Sequence, residues 1–436
     1  MAIAAAPQKS SISAPNTSGN LTALSTVTTL FFMWGFITVL NDVLIPHLKA
    51  IFDLNYKQGM LIQFAFFGAY FLFSLPSGKL IEWVGYKRTM IVGLLVMACG
   101  ALLFLPAASV PSFPLFLTAL IILAAGITAL QVAANAYVAV LGKPETASSR
   151  TTLAQAINSV GTFLAPQLGH VILAATPVAA AVLLTYSPDK LQAYRIQEAS
   201  SVKLPYLCIA LTLVLLAVLV ACVKLPKLSV EEKDDTPRSA HGSIWRHKHL
   251  VLGVLGIFLY VGAEVSIGSF LANYLNQKEI GNLAITVATS YISFYWGGAM
   301  IGRFIGAALL RWLPEGKLLG IFALAAGVLV ATSMLTFGPV AVWTILSVGL
   351  FNSIMFPTIF AIALDGLGPL TGEGSGLLIT AIVGGAIIPL AQGALADTPQ
   401  IGIHHAFILP VLCYLYIAFY GFSGSNRKPL ESAKAV

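Results

Sequence analysis

The chain has 436 residues, of which 58% are hydrophobic and 9% charged, against roughly 45–50% apolar and about 25% charged in soluble domains. A water-soluble globule is excluded, and so is a transmembrane barrel, because no segments of about 10 residues alternate apolar with polar. The net charge of +7 gathers on one side of a membrane-crossing pattern, which speaks for positive-inside topology and against a nucleic-acid partner.

Residues 1–23, rich in Ser, Ala, Pro and Asn, read as a disordered cytoplasmic tail without the basic, apolar and small-residue order of a secretory signal. Apolar runs of about 20 residues, enough to cross a hydrocarbon core of roughly 30 Å, recur from there almost to the C-terminus. Breaks at polar or Pro/Gly-rich joints give twelve spans, at about 24–48, 58–83, 88–106, 114–141, 151–181, 204–224, 250–275, 285–312, 317–337, 340–364, 373–395 and 405–424. Residues 225–249, with Glu231 to Asp235 and Arg246 to His249, read as a cytoplasmic linker between an N-terminal half, 24–224, and a C-terminal half, 250–424. Residues 425–436 form a second cytoplasmic tail. The expected fold class is all-α integral membrane, with twelve transmembrane helices in two six-helix halves.

With both termini in the cytoplasm, only Lys49, Lys57, Lys190, Arg195, Lys203 and Lys278 of the 24 Lys and Arg fall outside, and Lys79 and Arg303 lie within spans. This is the positive-inside pattern. Phe31 to Gly35 in span 1 echoes Phe258 to Gly262 in span 7, and Gly161 and Pro166 in span 5 echo Gly384 and Pro389 in span 11, at nearly the same offset. A parallel duplication follows, and transporters built of two such halves bind substrate between them near the bilayer midplane. Cys99, Cys208, Cys222 and Cys413 lie apart, without C-x-x-C spacing or His partners, so neither a disulfide framework nor a zinc site is expected.

A charged side chain at mid-membrane costs about 2.5–3.5 kcal/mol on insertion scales, so each intramembrane acid is a functional candidate. Asp42 and Glu264 stand inside apolar spans. Asp42, beside Asn41, would load and release a proton as a cleft alternates between dry and wet. Its structural alternative is to pair with a base or cap backbone. Glu264, flanked by small residues, would titrate, coordinate Na⁺ or accept a hydrogen bond from a sugar hydroxyl; its structural alternative is to pair with Arg303.

Gln63, Gln131, Asn135, Gln155, Asn158, Asn273, Asn352 and Gln392 fall inside spans, and amides offer both donor and acceptor to the hydroxyls of a polyol. Such side chains also serve as glue between helices. Gln131 and Asn135 share one helix face, as do Gln155 and Asn158. Trp34, Phe66, Tyr70, Tyr137, Tyr260, Phe294, Tyr295 and Trp296 are available as platforms for the apolar face of a pyranose. Between spans 2 and 3, Gly78, Gly85, Lys87 and Arg88 would latch a cytoplasmic gate, with Arg303 in Gly302 to Gly306 as a looser counterpart. The Gly372 to Gly376 stretch lacks the Lys-Ser/Thr ending of a phosphate-binding loop, no H-E-x-x-H occurs, and His404-His405 reads as an interface marker. No catalytic residue and no cofactor is expected; the chain is read as no enzyme.

Two six-helix halves with a basic linker, and the Gly78 to Arg88 segment, resemble the major facilitator superfamily. Asn41 to Pro46, Ala133 to Gly142, Leu153 to Ser159, Tyr260 to Ala263 and Phe356 to Phe360 resemble the fucose/galactose/glucose cation symporters. The resemblance implies that Asp42 is the helix-1 acid of that family and that Gln155 and Asn158 line its cleft. Where the fucose permeases carry Leu-Glu-Thr-Ala-Ala-Asn-Pro, this chain has Leu130-Gln131-Val132-Ala133-Ala134-Asn135-Ala136, and Glu264 stands where they carry Gln. That departure is similar to the glucose/galactose branch.

The expectation is a hexose importer, for glucose or galactose with fucose-like sugars as a variant, working by cation symport and alternating access. The cation is H⁺ or Na⁺, with Asp42 and Glu264 coupling and Na⁺ at either one the sole metal reading. Sugar contacts are expected from Asn41, Gln63, Gln131, Asn135, Gln155, Asn158, Tyr260, Asn273, Trp296 and Asn352. A hexose uniporter and a multidrug exporter of the same fold are the alternatives. The partners are the monosaccharide, the cation and the lipid bilayer, for a monomer in the bacterial inner membrane.

Overall fold

The computed structural model describes residues 17–52, 56–109, 112–172, 186–201, 203–226 and 243–425. Side chains are described throughout these except at 17–21, 40–52, 56–63, 166–172, 195, 198–201, 285, 286 and 289. The N-terminal tail to residue 16, linker residues 227–242 and the tail from 426 lie outside the described residues.

In hydrocarbon a backbone must satisfy its own N–H and C=O groups, and a helix does so within one segment. The described residues are accordingly helical almost throughout, with no strand among them. In chain order the helices are α1 (Thr17–Phe52), α2 (Tyr56–Ser109), α3 (Phe113–Val140), α4 (Ala147–Ile172), α5 (Pro188–Ser201), α6 (Lys203–Cys222), α7 (Lys248–Asn276) and α8 (Ile285–Leu309). There follow α9 (Glu315–Leu335), α10 (Gly338–Asn352), α11 (Met355–Leu364), α12 (Thr371–Thr380), α13 (Gly384–Ala396), α14 (Gly402–Ala406) and α15 (Ile408–Phe419).

Among the described residues nine helical stretches are long and apolar enough to cross a membrane. One of them, Phe64–Ser109, has 46 residues; a straight helix of that length would reach about 69 Å, over twice the roughly 30 Å of a hydrocarbon core. It holds two crossings. Gly85, at φ 83° and ψ 167°, occupies backbone space that glycine enters at least cost. Tyr70 before it and Gly93 after it both lie against the same turn of α3, at Gln131 and Leu130, which requires the chain to reverse in between.

The 26-residue α4 and the 25-residue α8 complete the twelve crossings. Helix α4 is less apolar because it carries Ser148, Ser149, Thr151, Thr152, Gln155, Asn158 and Ser159. The tenth crossing is α10 with α11, the eleventh α12 with α13, and the twelfth α14 with α15. The structure departs from the sequence reading in three places. Spans 2 and 3 join at a single kinked residue, Gly85. The 3₁₀ turn Ala381–Val383 divides the eleventh crossing. Helix α5 lies in the stretch expected to be a joint, because its Asp189, Lys190, Arg195 and Glu198 hide it from a search for apolar runs.

Helices α1 to α6 pack among themselves, as do α7 to α15, and the two sets meet most closely at one end of the bundle. That end carries the Gly85, Lys143 and Arg311 turns and is called the basic end below. There a Cβ on Gly78 would lie 2.6 Å from Gly372 O, and one on Gly376 would lie 2.8 Å from Ser74 O, so α2 and α12 touch backbone to backbone. Ser375 Oγ donates to Val132 O at 2.7 Å, Ser149 Oγ to Ala307 O at 2.6 Å and Thr151 Oγ1 to Pro357 O at 3.2 Å. Ser148 Oγ donates to Glu315 Oε2. The bundle's outside displays Leu72, Leu211, Val328 and Leu390, each more than half exposed, as a lipid-facing surface requires.

Close approach of helices also holds the C-terminal set together. A Cβ on Gly349 in α10 would lie 2.0 Å from Tyr295 O in α8, while one on Gly297 would meet nothing within 4 Å. Overpacking of this kind costs about 1–3 kcal/mol. Gly349→Ala is expected to lower the apparent Tm in detergent and Gly297→Ala to leave it unchanged; equal melting of the two variants contradicts the packing.

Candidate functional site

Two polar clusters lie in the interior, one in each set of helices. In the first, Gln131, Asn135, Gln155 and Asn158 are 4%, 1%, 6% and 7% exposed. One turn of α3 separates Gln131 from Asn135, so the Asn135 amide reaches back and its Nδ2 donates to Gln131 O at 2.9 Å. A backbone carbonyl accepts only from the nitrogen end of an amide, which fixes Asn135 Oδ1 as the outward acceptor. Gln155 Nε2 on α4 donates to that oxygen at 3.2 Å. Gln131 Nε2 donates to Tyr70 Oη on α2 at 2.5 Å.

Asn158 is oriented in the same manner by a different backbone. Its Nδ2 donates to Phe31 O on α1 at 2.7 Å. A Cβ on Gly35, one turn further along α1, would lie 2.4 Å from that nitrogen, so the amide rests against bare backbone. These bonds use N–H groups. Gln131 Oε1, Gln155 Oε1 and Asn158 Oδ1 have no protein donor among the described residues. None of the three is among the fully buried side-chain atoms that lack a partner, so an O–H group of water or of a ligand can reach them.

The second cluster surrounds Glu264 on α7. Tyr260, one turn before it, donates to Glu264 Oε1 at 2.7 Å and lies 3.1 Å from Asn352 O. Asn352 Nδ2 in turn donates to Tyr295 Oη at 2.7 Å. Arg303 on α8 points into the same space, with Nη2 3.9 Å from Glu264 Oε1 and both side chains 13% exposed. Its Nε donates to Ser353 O at 3.4 Å and its Nη1 to Ser159 Oγ on α4. The guanidinium is thus shared among three groups. Its distance from Glu264 exceeds hydrogen-bond length.

The remaining expected site residues are spread more widely. Asn41 and Asp42 belong to α1 and Gln63 to α2, and their side chains lie outside the described residues. Tyr260 and Asn352, expected as sugar contacts, are 1% and 0% exposed and hold Glu264 and Tyr295 in place. Asn273 is exposed, and Trp296, 44% exposed, lies against Gly268. Arg303 joins the Glu264 cluster and not Gly78, Gly85, Lys87 and Arg88 at the basic end, because it lies about two turns in from Arg311. Lys87 Nζ donates to Ala221 O at 2.8 Å, closing the C-terminus of α6 within its own half, and Arg88 is exposed.

Sequence reasoning missed the part played by Ser159 and Ser353, and treated Tyr70 and Tyr295 as platforms where they serve as hydrogen-bond partners. Ser159 carried a readable signal: it falls four residues after Gln155, on the same face of α4. Among the described residues no group of three or more His, Cys, Asp or Glu side chains is placed to hold a metal.

The sequence pattern of the Major Facilitator Superfamily matches residues 23–389. The chain is 53% identical over 404 residues to the glucose/galactose transporter of Brucella abortus biovar 1 (strain 9-941), covering 93% of this chain and 94% of that protein. Its fold matches a crystal structure of the E. coli fucose:proton symporter, FucP, with TM-score 0.87, 33% identity and coverage of 94% and 100%. A second FucP structure, in the outward conformation, matches with TM-score 0.88, 33% identity and the same coverage. A family pattern over residues 23–389, a relative at 53% identity and a fold match at TM-score 0.87 converge: the chain belongs to the major facilitator superfamily.

Proposed function

We propose that the chain is a secondary active transporter that imports a hexose, glucose or galactose, together with a cation by alternating access. The observation that carries this reading is the set of buried amides, each oriented by one N–H bond to protein, of which Gln131, Gln155 and Asn158 keep a carbonyl oxygen open to donors and a second N–H. A polyol supplies such donors in number; an apolar drug supplies few. The names of the Brucella glucose/galactose transporter and the E. coli fucose:proton symporter agree with this reading. The latter favours H⁺ as the coupling ion.

Gln131, Gln155 and Asn158 accept from sugar hydroxyls, Asn135 holds Gln155 in register, and Asn41 and Gln63 extend the set from α1 and α2. Asp42 and Glu264 take up the cation. Tyr260 positions Glu264 and Asn352 positions Tyr295, while Asn273 and Trp296 flank the approach from the far end. Residues 24–224 and 250–424 are the two halves that rock. By the positive-inside rule the basic end faces the cytoplasm, with both termini and the linker on that side, in the bacterial inner membrane. The halves are closed there, which makes the conformation outward-facing, and Gly78 and Gly85 form the part of the gate that must open. Inward movement of one positive charge supplies about 2.3 kcal/mol per 100 mV, enough for a roughly 50-fold accumulation of a neutral sugar at about 1.4 kcal/mol per decade.

In proteoliposomes, Asp42→Asn and Glu264→Gln are expected to abolish accumulation driven by an imposed proton gradient while preserving sugar counterflow. Full accumulation in both variants contradicts the coupling role. Asn158→Ala removes one acceptor, and Gly35→Ala drives a methyl into the Asn158 amide; a single hydrogen bond is worth about 0.5–1.5 kcal/mol. Both variants are expected to raise the counterflow KM for galactose roughly 3- to 10-fold. Unchanged KM in both would remove Asn158 from the sugar site.

A further inference from the structure

Arg303 Nη1 and Ser159 Oγ join the two interior clusters across the boundary between the halves. We propose that Ser159 is the positioning residue that couples the sugar amides of the N-terminal half to the Arg303–Glu264 pair of the C-terminal half. The inference rests on the symport reading above and names the contact that makes the two ligands depend on each other.

Ser159 is 3% exposed, and its hydroxyl works in both directions. It accepts from the Arg303 guanidinium of the opposite half and donates to Gln155 O, one turn earlier on α4, at 2.9 Å. Gln155 belongs to the amide set, and Asn158 is the adjacent residue in the chain. A shift of α4 on sugar binding therefore moves the Ser159 hydroxyl directly. On the other side, Arg303 stands 3.9 Å from Glu264 Oε1, outside hydrogen-bond length and inside strong Coulomb range. The titratable groups around that carboxyl are Tyr260 on its own helix, Arg303 and Tyr295 on α8 and Tyr414 on α15. Arg303 is the cation among them.

The guanidinium is thus divided between a neutral hydroxyl in one half and a carboxyl in the other. With Glu264 protonated, its attraction for Arg303 falls, and Ser159 keeps the guanidinium. When the halves rock apart at the basic end, α4 and α8 separate and Ser159 releases Arg303. The guanidinium then closes on Glu264, favours the carboxylate, and the proton leaves to water on the newly open side. Sugar and proton depart on the same side because one movement breaks the Ser159 contact and exposes both sites.

The test compares proton-driven accumulation with counterflow in proteoliposomes carrying the full-length protein. Ser159→Ala is expected to keep counterflow rate and KM within about twofold of the unaltered protein while its accumulation ratio falls at least 10-fold. Ser159→Thr, which restores a hydroxyl, is expected to recover accumulation. Accumulation at the unaltered level in Ser159→Ala overturns the inference, and so does a parallel loss of counterflow and accumulation that Ser159→Thr fails to recover. Failure of the unaltered protein to accumulate sugar at all overturns the symport reading itself.

Discussion

A hydrogen-bonding group inside a lipid-bound bundle has no water to fall back on. Here that constraint decides which way the described candidate side chains point. Gln131 O and Phe31 O each take an amide N–H, from Asn135 and Asn158. Once those two amides are oriented, Gln155 is oriented by Asn135, and the carbonyl oxygens of Gln131, Gln155 and Asn158 remain as acceptors for a ligand beside the second N–H of each amide. The same constraint in the other half gives Glu264 its Tyr260 donor. Chemistry that looks like a collection of scattered polar residues is the consequence of a few backbone acceptors in fixed positions.

The two clusters differ in kind, and the difference matters for transport. The amide cluster is neutral, suited to a ligand recognised by its hydroxyls. The Glu264 cluster carries charge, suited to an ion, and its Arg303 is pulled toward both halves. Closure at the basic end depends on small residues, Gly78 against Gly372 and Gly376 against Ser74. It also depends on a hydroxyl-rich start to α4. All but one of these contacts are neutral; the exception is Ser148 on the Glu315 carboxylate.

Much of this was legible in the chain. Apolar length gave the crossings, and helical spacing put Gln131 on one face with Asn135 and Gln155 on one face with Asn158. What spacing could not reveal was a backbone partner on another helix. Phe31 matters through its carbonyl, which every residue possesses, so its identity announces nothing. Arg303 was read both in a Gly-rich segment resembling a gate motif and as the alternative partner of Glu264, and its side chain lies near Glu264 because α8 packs beside α7. Asn352 and Tyr260 looked like ligand contacts because polarity inside a span marks function and structural support alike. Helix α5 escaped notice because charge conceals a helix from a search for apolar runs.

The central claim is that hydroxyl recognition and charge movement belong to one cycle. Proteoliposomes adsorbed on a solid-supported membrane would test it by recording current on rapid exchange of mannitol for galactose or glucose. Inward positive current that saturates with sugar and vanishes when the protein is omitted is the predicted result. Electrically silent turnover, with labelled sugar exchanging at full rate and neither proton nor sodium moving with it, would contradict the account.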